Sequence, residues 1–397
     1  MNALKDIRIL DLTRMVAGPF CTMALGDLGA EVIKIEEPRT GDDTRQWGPP
    51  FINGESAYFI SVNRNKKSVT LDLRKEEGQE LIRKLVAHCD VLVENFRPGT
   101  MDRFNLDYET LRTVRADLVY CSITGYGLTG PDRFKPATDP ILQARGGIIE
   151  LLGEKGGRSY RIPIPIIDMA SGFQAYGSIL AALIDRSRSG RGHFIEVSLL
   201  ETELSLLLNL ASSYLIAGEM PERQGSSHPS IVPSGVFEAK DRRVFLSASS
   251  DVRWRRLCQA LELAGMIDDR RFATAEARVV HRADVDRIIQ ERLQTKDADE
   301  WAEIIERTGG GIPFAPVNGF DRIFTDPQVV ERGIVTEAIH PITGRLPMLG
   351  IPVRYDGVRD PIALPPPRIG EHTDEVLCRL AGLETADLAA YRAQGII

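Results

Sequence analysis

The feature that most constrains this chain is the alternation of strand-like and helix-like segments over its first 125 residues. Residues 7–12, 31–35, 68–73, 90–93 and 118–123 are short runs dominated by Val, Ile and Leu. Residues 18–28, 76–89 and 108–115 lie among them and carry apolar side chains at helical spacing. Strands that alternate with helices predict βαβ units, because parallel strands need a crossover between them. Several such units in a row predict an α/β fold with a doubly wound sheet.

The pattern changes beyond residue 124. Glycine-rich turns fill 124–130, and a helix is expected over 140–152. The run Arg161-Ile162-Pro163-Ile164-Pro165-Ile166-Ile167-Asp168 is apolar, punctuated by proline, and ends on a carboxylate. It reads as a strand that feeds a helix over 172–186. A strand over 193–197 and a long apolar helix over 201–217 follow. From residue 225 the composition shifts. A hairpin (236–239 with 244–247), amphipathic helices near 251–264, 281–294 and 297–307, and a strand over 312–317 read as a smaller α+β domain. The expected organisation is a large domain over 1–224, the smaller domain over 225–330, and a return to the large domain over 331–397. The 397 residues suit two domains of this kind.

A net charge of −7 argues against nucleic acid or an anionic membrane as the main partner. The five cysteines are scattered and form no C-x-x-C pair, and the six histidines form no H-x-x-x-H, so no metal site is expected. The sequence shows no signal pattern and no continuous apolar run of membrane-spanning length. A cytoplasmic enzyme is the expectation.

Three segments carry candidate chemistry. The first turn, Thr13-Arg14-Met15-Val16-Ala17-Gly18-Pro19, lacks the G-x-G-x-x-G that dinucleotide binding needs, although Glu36 and Glu37 end the next strand. Asn95-Phe96-Arg97-Pro98-Gly99 and Arg103 follow a strand end, where open sheets bind ligands. An amide, an aromatic face and two guanidinium groups suit a nucleotide. Asp168 either caps a helix or acts as a partly desolvated nucleophile. The small-residue loop Gly225-Ser226-Ser227-His228-Pro229 is either a linker or a lid with backbone N–H donors.

Taken together, these segments resemble one family. Leu10-Asp11-Leu12-Thr13, Asp27-Leu28-Gly29-Ala30-Glu31-Val32-Ile33-Lys34-Ile35-Glu36, Asn63-Arg64-Asn65-Lys66-Lys67-Ser68, Asn95-Phe96-Arg97-Pro98-Gly99, Ser122-Ile123-Thr124-Gly125-Tyr126-Gly127 and Gly370-Glu371-His372-Thr373 occur in the order seen in class III CoA-transferases. That family includes formyl-CoA and carnitine CoA-transferases and α-methylacyl-CoA racemase. The resemblance implies a Rossmann-like large domain with a smaller inserted domain, in a homodimer of two interlocked rings. It implies an acyl-CoA and a carboxylic acid as substrates, with coenzyme A part of the substrate and no tightly bound cofactor. Asp168 falls on the nucleophile that forms an aspartyl anhydride and then an aspartyl thioester. CoA contacts carried over by position are Val16, Ala17, Leu71, Asn95, Phe96, Arg97, Arg103, Ala137 and Thr138, with Arg39 and Arg45 as further phosphate partners by charge. Loop residues Gly225, Ser226, Ser227 and His228 would lie over the site.

The racemases place a histidine before an aspartate where this chain has Thr138-Asp139. Threonine does not exchange protons near neutral pH, which favours transfer over racemisation. A relative that binds CoA esters without chemistry is the third alternative. Gly41-Asp42-Asp43-Thr44-Arg45-Gln46-Trp47 and Pro229-Ser230-Ile231-Val232-Pro233 look closest to the succinyl-CoA:glutarate branch. That branch implies a dicarboxylic acid, with Arg45, Arg64 and Lys66 as candidates to neutralise its distal charge.

Overall fold

A computed structural model describes residues 2–309 and 311–397. It divides into two compact units. The first combines the chain up to Ile148 with Arg161–Ala217 and Val330–Ile397, and the second combines Ile149–Tyr160 with Gly218–Val329. Residues 149–160, expected in the large domain, therefore cluster with the second unit.

The first unit is built on six parallel strands: β1 (Arg8–Asp11), β2 (Glu31–Glu36), β3 (Lys66–Thr70), β4 (Val91–Glu94), β5 (Val119–Thr124) and β6 (His193–Ser198). Their order is β3-β2-β1-β4-β5-β6. The chain winds outward from β1 through β2 to β3, then crosses to β4 on the other side of β1 and winds outward again. The register pairs Ile9 with both Val32 and Val91, so β1 sits at the centre. Both faces are covered, so the strands are apolar along their length rather than alternating. Leu10, Ile33, Val69 and Leu92 are fully buried among Leu81, Leu85, Val376 and Leu377. Helix α1 (Ala17–Asp27) follows β1, and α2 (Glu76–Val86) precedes β4.

Residues 372–396 return to the sheet edge beside β3. The Thr70 N–H donates to Thr373 Oγ1 at 3.0 Å, and the Asp72 N–H to the Ile396 carbonyl at 2.8 Å.

Three elements differ from expectation. Helix α3 covers only Asp139–Arg145, because Gly146 and Gly147 end it. The run 161–165 is not a strand. It leads directly into α4 (Ile166–Ser189), a helix of 24 residues that begins six residues earlier than the sequence suggested. By length and hydropathy α4 could cross a membrane, against the expectation above. Here it packs on α1, β5 and β6. The expected helix over 201–217 is two helices, α5 (Leu199–Leu206) and α6 (Leu208–Ala217), bent by 80° at a residue with positive φ, Leu208.

The second unit holds an antiparallel sheet of Ser234–Glu238, Arg243–Ser247 and Phe314–Pro316, with Arg243–Ser247 in the middle. Helices Asp251–Ala260, Arg282–Leu293 and Ala298–Arg307 accompany it. Its own core includes Trp254, Phe272, Ile289 and Trp301.

Candidate active site

The winding direction reverses between β1 and β4, so their carboxyl ends splay apart and leave a crevice, the usual ligand position in such sheets. Asn95 spans this reversal. Its Oδ1 accepts the Arg14 N–H and its Nδ2 donates to the Arg14 carbonyl, both at 2.8 Å. The turn after β1 is fixed from beneath by buried charge. Asp11 accepts from the Thr13 N–H at 2.9 Å, from Thr22 Oγ1 at 2.6 Å and from Lys66 Nζ at 3.0 Å. Lys34 Nζ donates to the Thr13 carbonyl and to Asp42, both at 2.8 Å. Burial alone would raise the Asp11 pKa, but Lys66 and Lys34 hold it down at about 2. Burial lowers Lys66 to about 8 against the pull of Asp11.

A cavity of about 510 Å³ opens here, lined by Val16, Ala17, Asn95, Ala137, Thr138 and Asp168 among others. Six of the expected site residues thus meet in one place. Leu71 and Phe96 line a separate depression of about 260 Å³, and Arg97 and Arg103 a third of about 440 Å³. Arg39 is exposed and lines none of these three.

Asp168 lies in the first turn of α4 and does not cap it. That role falls to Asp139, whose Oδ2 accepts the N–H groups of Ile167 at 2.8 Å and Asp168 at 3.2 Å. Asp139 Oδ1 in turn accepts from Gln143 Nε2 at 2.6 Å, and Gln143 Oε1 accepts the Ile162 N–H at 2.8 Å. This buried pair stitches α3 to the segment that carries Asp168. Among the described residues nothing donates a hydrogen bond to the Asp168 carboxylate. Burial, helped by the negative charge of Asp139, pushes its pKa up to about 7. Burial and the charges of Asp168 and Asp139 also raise the Tyr58 phenol. Tyr58 meets Trp47 edge-on at 4.9 Å, and both line the cavity.

Gly172 brings α4 against α1. A Cβ there would stand 2.7 Å from the Ala17 carbonyl oxygen, so a side chain would force the nucleophile-bearing helix away from Val16 and Ala17. The start of α1 has no side-chain cap. Val16 and Ala17 at that start line the cavity, and an uncapped helix N-terminus favours anions.

Tyr58, Trp47, Asp139 and Arg161 were not expected at the site. The Asp-x-x-x-Gln spacing of Asp139 and Gln143 was the one available signal, and it shows nothing of the distant backbone that it serves.

The expected cations do not reach the cavity. Arg45 forks onto Glu36 with two 2.7 Å bonds, and Arg64 is paired with Asp27 at 2.5 Å. Lys66 is wholly buried on Asp11. Each is already neutralised by a carboxylate.

The loop Gly225–His228 belongs to the second unit, and its backbone donors are largely spent. Gly225 donates to the Gly153 carbonyl at 3.0 Å, Ser227 to Gln224 at 3.0 Å, and His228 to Ser234 at 3.3 Å. His228 Nδ1 accepts the Ser230 N–H at 3.1 Å. The Ser226 Oγ accepts the Val236 N–H at 3.0 Å, which ties this hydroxyl to the neighbouring strand.

Comparison with known proteins identifies the family. The family described as CoA-transferase family III matches residues 4–373. A succinyl-CoA:glutarate CoA-transferase of Homo sapiens is 39% identical over 397 residues, covering all of this chain and 90% of that protein. A succinate–glutarate CoA-transferase of Agrobacterium fabrum is 36% identical, covering 96% of each. A crystal structure of a CaiB/BaiF family protein from Brucella suis superposes with a TM-score of 0.86 at 36% identity, covering 95% of this chain and 99% of that one. A chain that folds with its unpaired aspartate in this crevice, and matches these proteins along its length, belongs to CoA-transferase family III.

Proposed function

We propose that the protein moves CoA from a succinyl-CoA-type donor to a dicarboxylic acid through covalent intermediates on Asp168. The observation that carries this reading is the Asp168 carboxylate, which is half-buried, unpaired and open to the cavity. An Asp168 oxygen attacks the thioester carbonyl carbon, the C–S bond breaks, and CoA leaves as thiolate with a mixed anhydride on the enzyme. The thiolate attacks the aspartyl carbonyl of that anhydride and releases the donor acid as carboxylate. An acceptor carboxylate then attacks the aspartyl thioester, and the returning thiolate takes the new acyl group, restoring Asp168. Each intermediate is an activated acyl group, so no step needs an added energy source.

The free N–H groups at the start of α1 are suited to hold developing negative charge. Asn95 and Phe96 fit the CoA moiety, with Arg97 and Arg103 on its phosphates. The names of the relatives support C4 and C5 dicarboxylates, succinate and glutarate first. Asp168→Ala should reduce transfer from succinyl-CoA to glutarate by roughly a thousandfold or more, with the melting curve preserved. Wild-type enzyme incubated with succinyl-CoA should carry an acid-stable mass increment on the peptide containing Asp168. Full activity in Asp168→Ala would end the mechanism.

Two copies are proposed to interlock. Helix α6 buries none of its residues, and Leu208, Leu215 and Ile216 are 71%, 80% and 87% exposed. So large an apolar face calls for a partner surface. Rapid exchange of subunits between two tagged pools would contradict threading.

A further inference from the structure

We propose that Arg161 binds the distal carboxylate of the dicarboxylic substrate and sets the enzyme's preference for diacids over monoacids. The inference rests on the reading above and deepens it.

The cavity that holds Asp168 is lined by two carboxylates, Asp139 and Asp168, and by one cation, Arg161. A second carboxylate on the substrate would meet like charge there unless something compensates it. Removing a carboxylate from water without a partner is costly. Among the described residues Arg161 has no ion pair and no hydrogen bond to its side chain. Arg45, Arg64 and Lys66, by contrast, are committed to Glu36, Asp27 and Asp11. Arg161 is also well presented. Its neighbour Ile162 is pinned through both backbone groups, the N–H to Gln143 Oε1 at 2.8 Å and the carbonyl to Gln143 Nε2 at 3.2 Å. Pro163 and Pro165 then restrict the chain that leads to Asp168. The same short segment thus delivers the nucleophile for one end of the substrate and a forked donor for the other. A guanidinium matches a carboxylate through two parallel hydrogen bonds.

The test compares wild type with Arg161→Ala, Arg161→Lys and Arg161→Glu. Initial rates are measured with succinyl-CoA as donor and glutarate or butyrate as acceptor, and binding of free CoA is measured in parallel. In Arg161→Ala the KM for glutarate should rise about 10- to 100-fold, more than kcat falls, and the ratio of kcat/KM for glutarate over butyrate should drop by a similar factor. Arg161→Lys should recover part of the ratio, and Arg161→Glu should lower it further. A selectivity ratio within twofold of wild type in Arg161→Ala would overturn the proposal. So would a loss of free-CoA affinity as large as the loss for glutarate, which would assign Arg161 to a CoA phosphate. Wild-type enzyme that transfers CoA but prefers butyrate would overturn the dicarboxylate reading itself, a result separate from any effect of the variants.

Discussion

Asp11 and Asp168 are two desolvated carboxylates of the same unit, and the fold has treated them in opposite ways. Asp11 lies between two lysines and two hydroxyls and is held at about 2. Asp168 is flanked by another carboxylate and receives no donor, and is pushed up to about 7. Burial raises both, so the sign of the outcome comes from the neighbours alone. The first carboxylate has been spent on holding the turn after β1. The second keeps its lone pairs for a substrate, at a cost in stability that a structural residue would not carry.

The most forceful way to break this contrast is to strip Asp11 of a partner. Lys66→Met leaves a buried charge with less compensation and should cost about 3–5 kcal/mol of stability, read from urea unfolding at neutral pH. A change of under about 1 kcal/mol would show that Lys34 alone suffices. Acid should expose the same network. The Asp11 pKa is depressed, so its contribution is complete above its ordinary value of 3.8 and disappears as pH falls through about 2.

Asp168 should behave in the reverse sense. Its folded pKa lies above the ordinary 3.8, so ionisation costs the folded protein stability as pH rises from there to about 7. Asp168→Asn should therefore match wild type near about pH 4 and be more stable by roughly 4 kcal/mol near pH 8. Equal stability at both pH values would show that the carboxylate is not strained.

The smallest expected effect is kinetic. The nucleophile is the carboxylate, so the first acyl transfer should accelerate about tenfold between roughly pH 6 and pH 8, with an apparent midpoint near 7. A rate that is flat across that range would place the Asp168 pKa lower when substrate is bound.

The sequence disclosed the sheet better than it disclosed the charges. Strand positions follow from apolar runs, and all six strands lie within a few residues of where those runs place them. The start of α4 was misread because Ile162, Ile164 and Ile166 alternate with proline as an edge strand would. What starts the helix is Asp139, whose side chain supplies acceptors from 28 and 29 residues away. Val16, Ala17 and Asn95, the positions that the family resemblance pointed to, line the cavity. Which cations remain unpaired was not legible in the sequence. Arg45, Arg64 and Lys66 have the right charge, but their carboxylates lie 9, 37 and 55 residues away. Arg161 looked like the edge of an apolar run. It stands out only once its rivals are seen to be occupied.

The returning segment at β3 has a consequence for how the protein is made. Val376, Leu377, Leu388 and Ile396 sit in the same core cluster as Leu10 and Ile33. During translation the first strands leave the ribosome long before the residues that complete their core, and must wait as an open sheet while over 300 residues follow. The second unit has no such delay, since its core residues run from Val232 to Ile312. The nascent chain should therefore hold one finished domain and one unfinished one until its closing helices emerge. Over that interval chaperones would have most to bind, and a late frameshift would do more damage than its distance from the crevice implies.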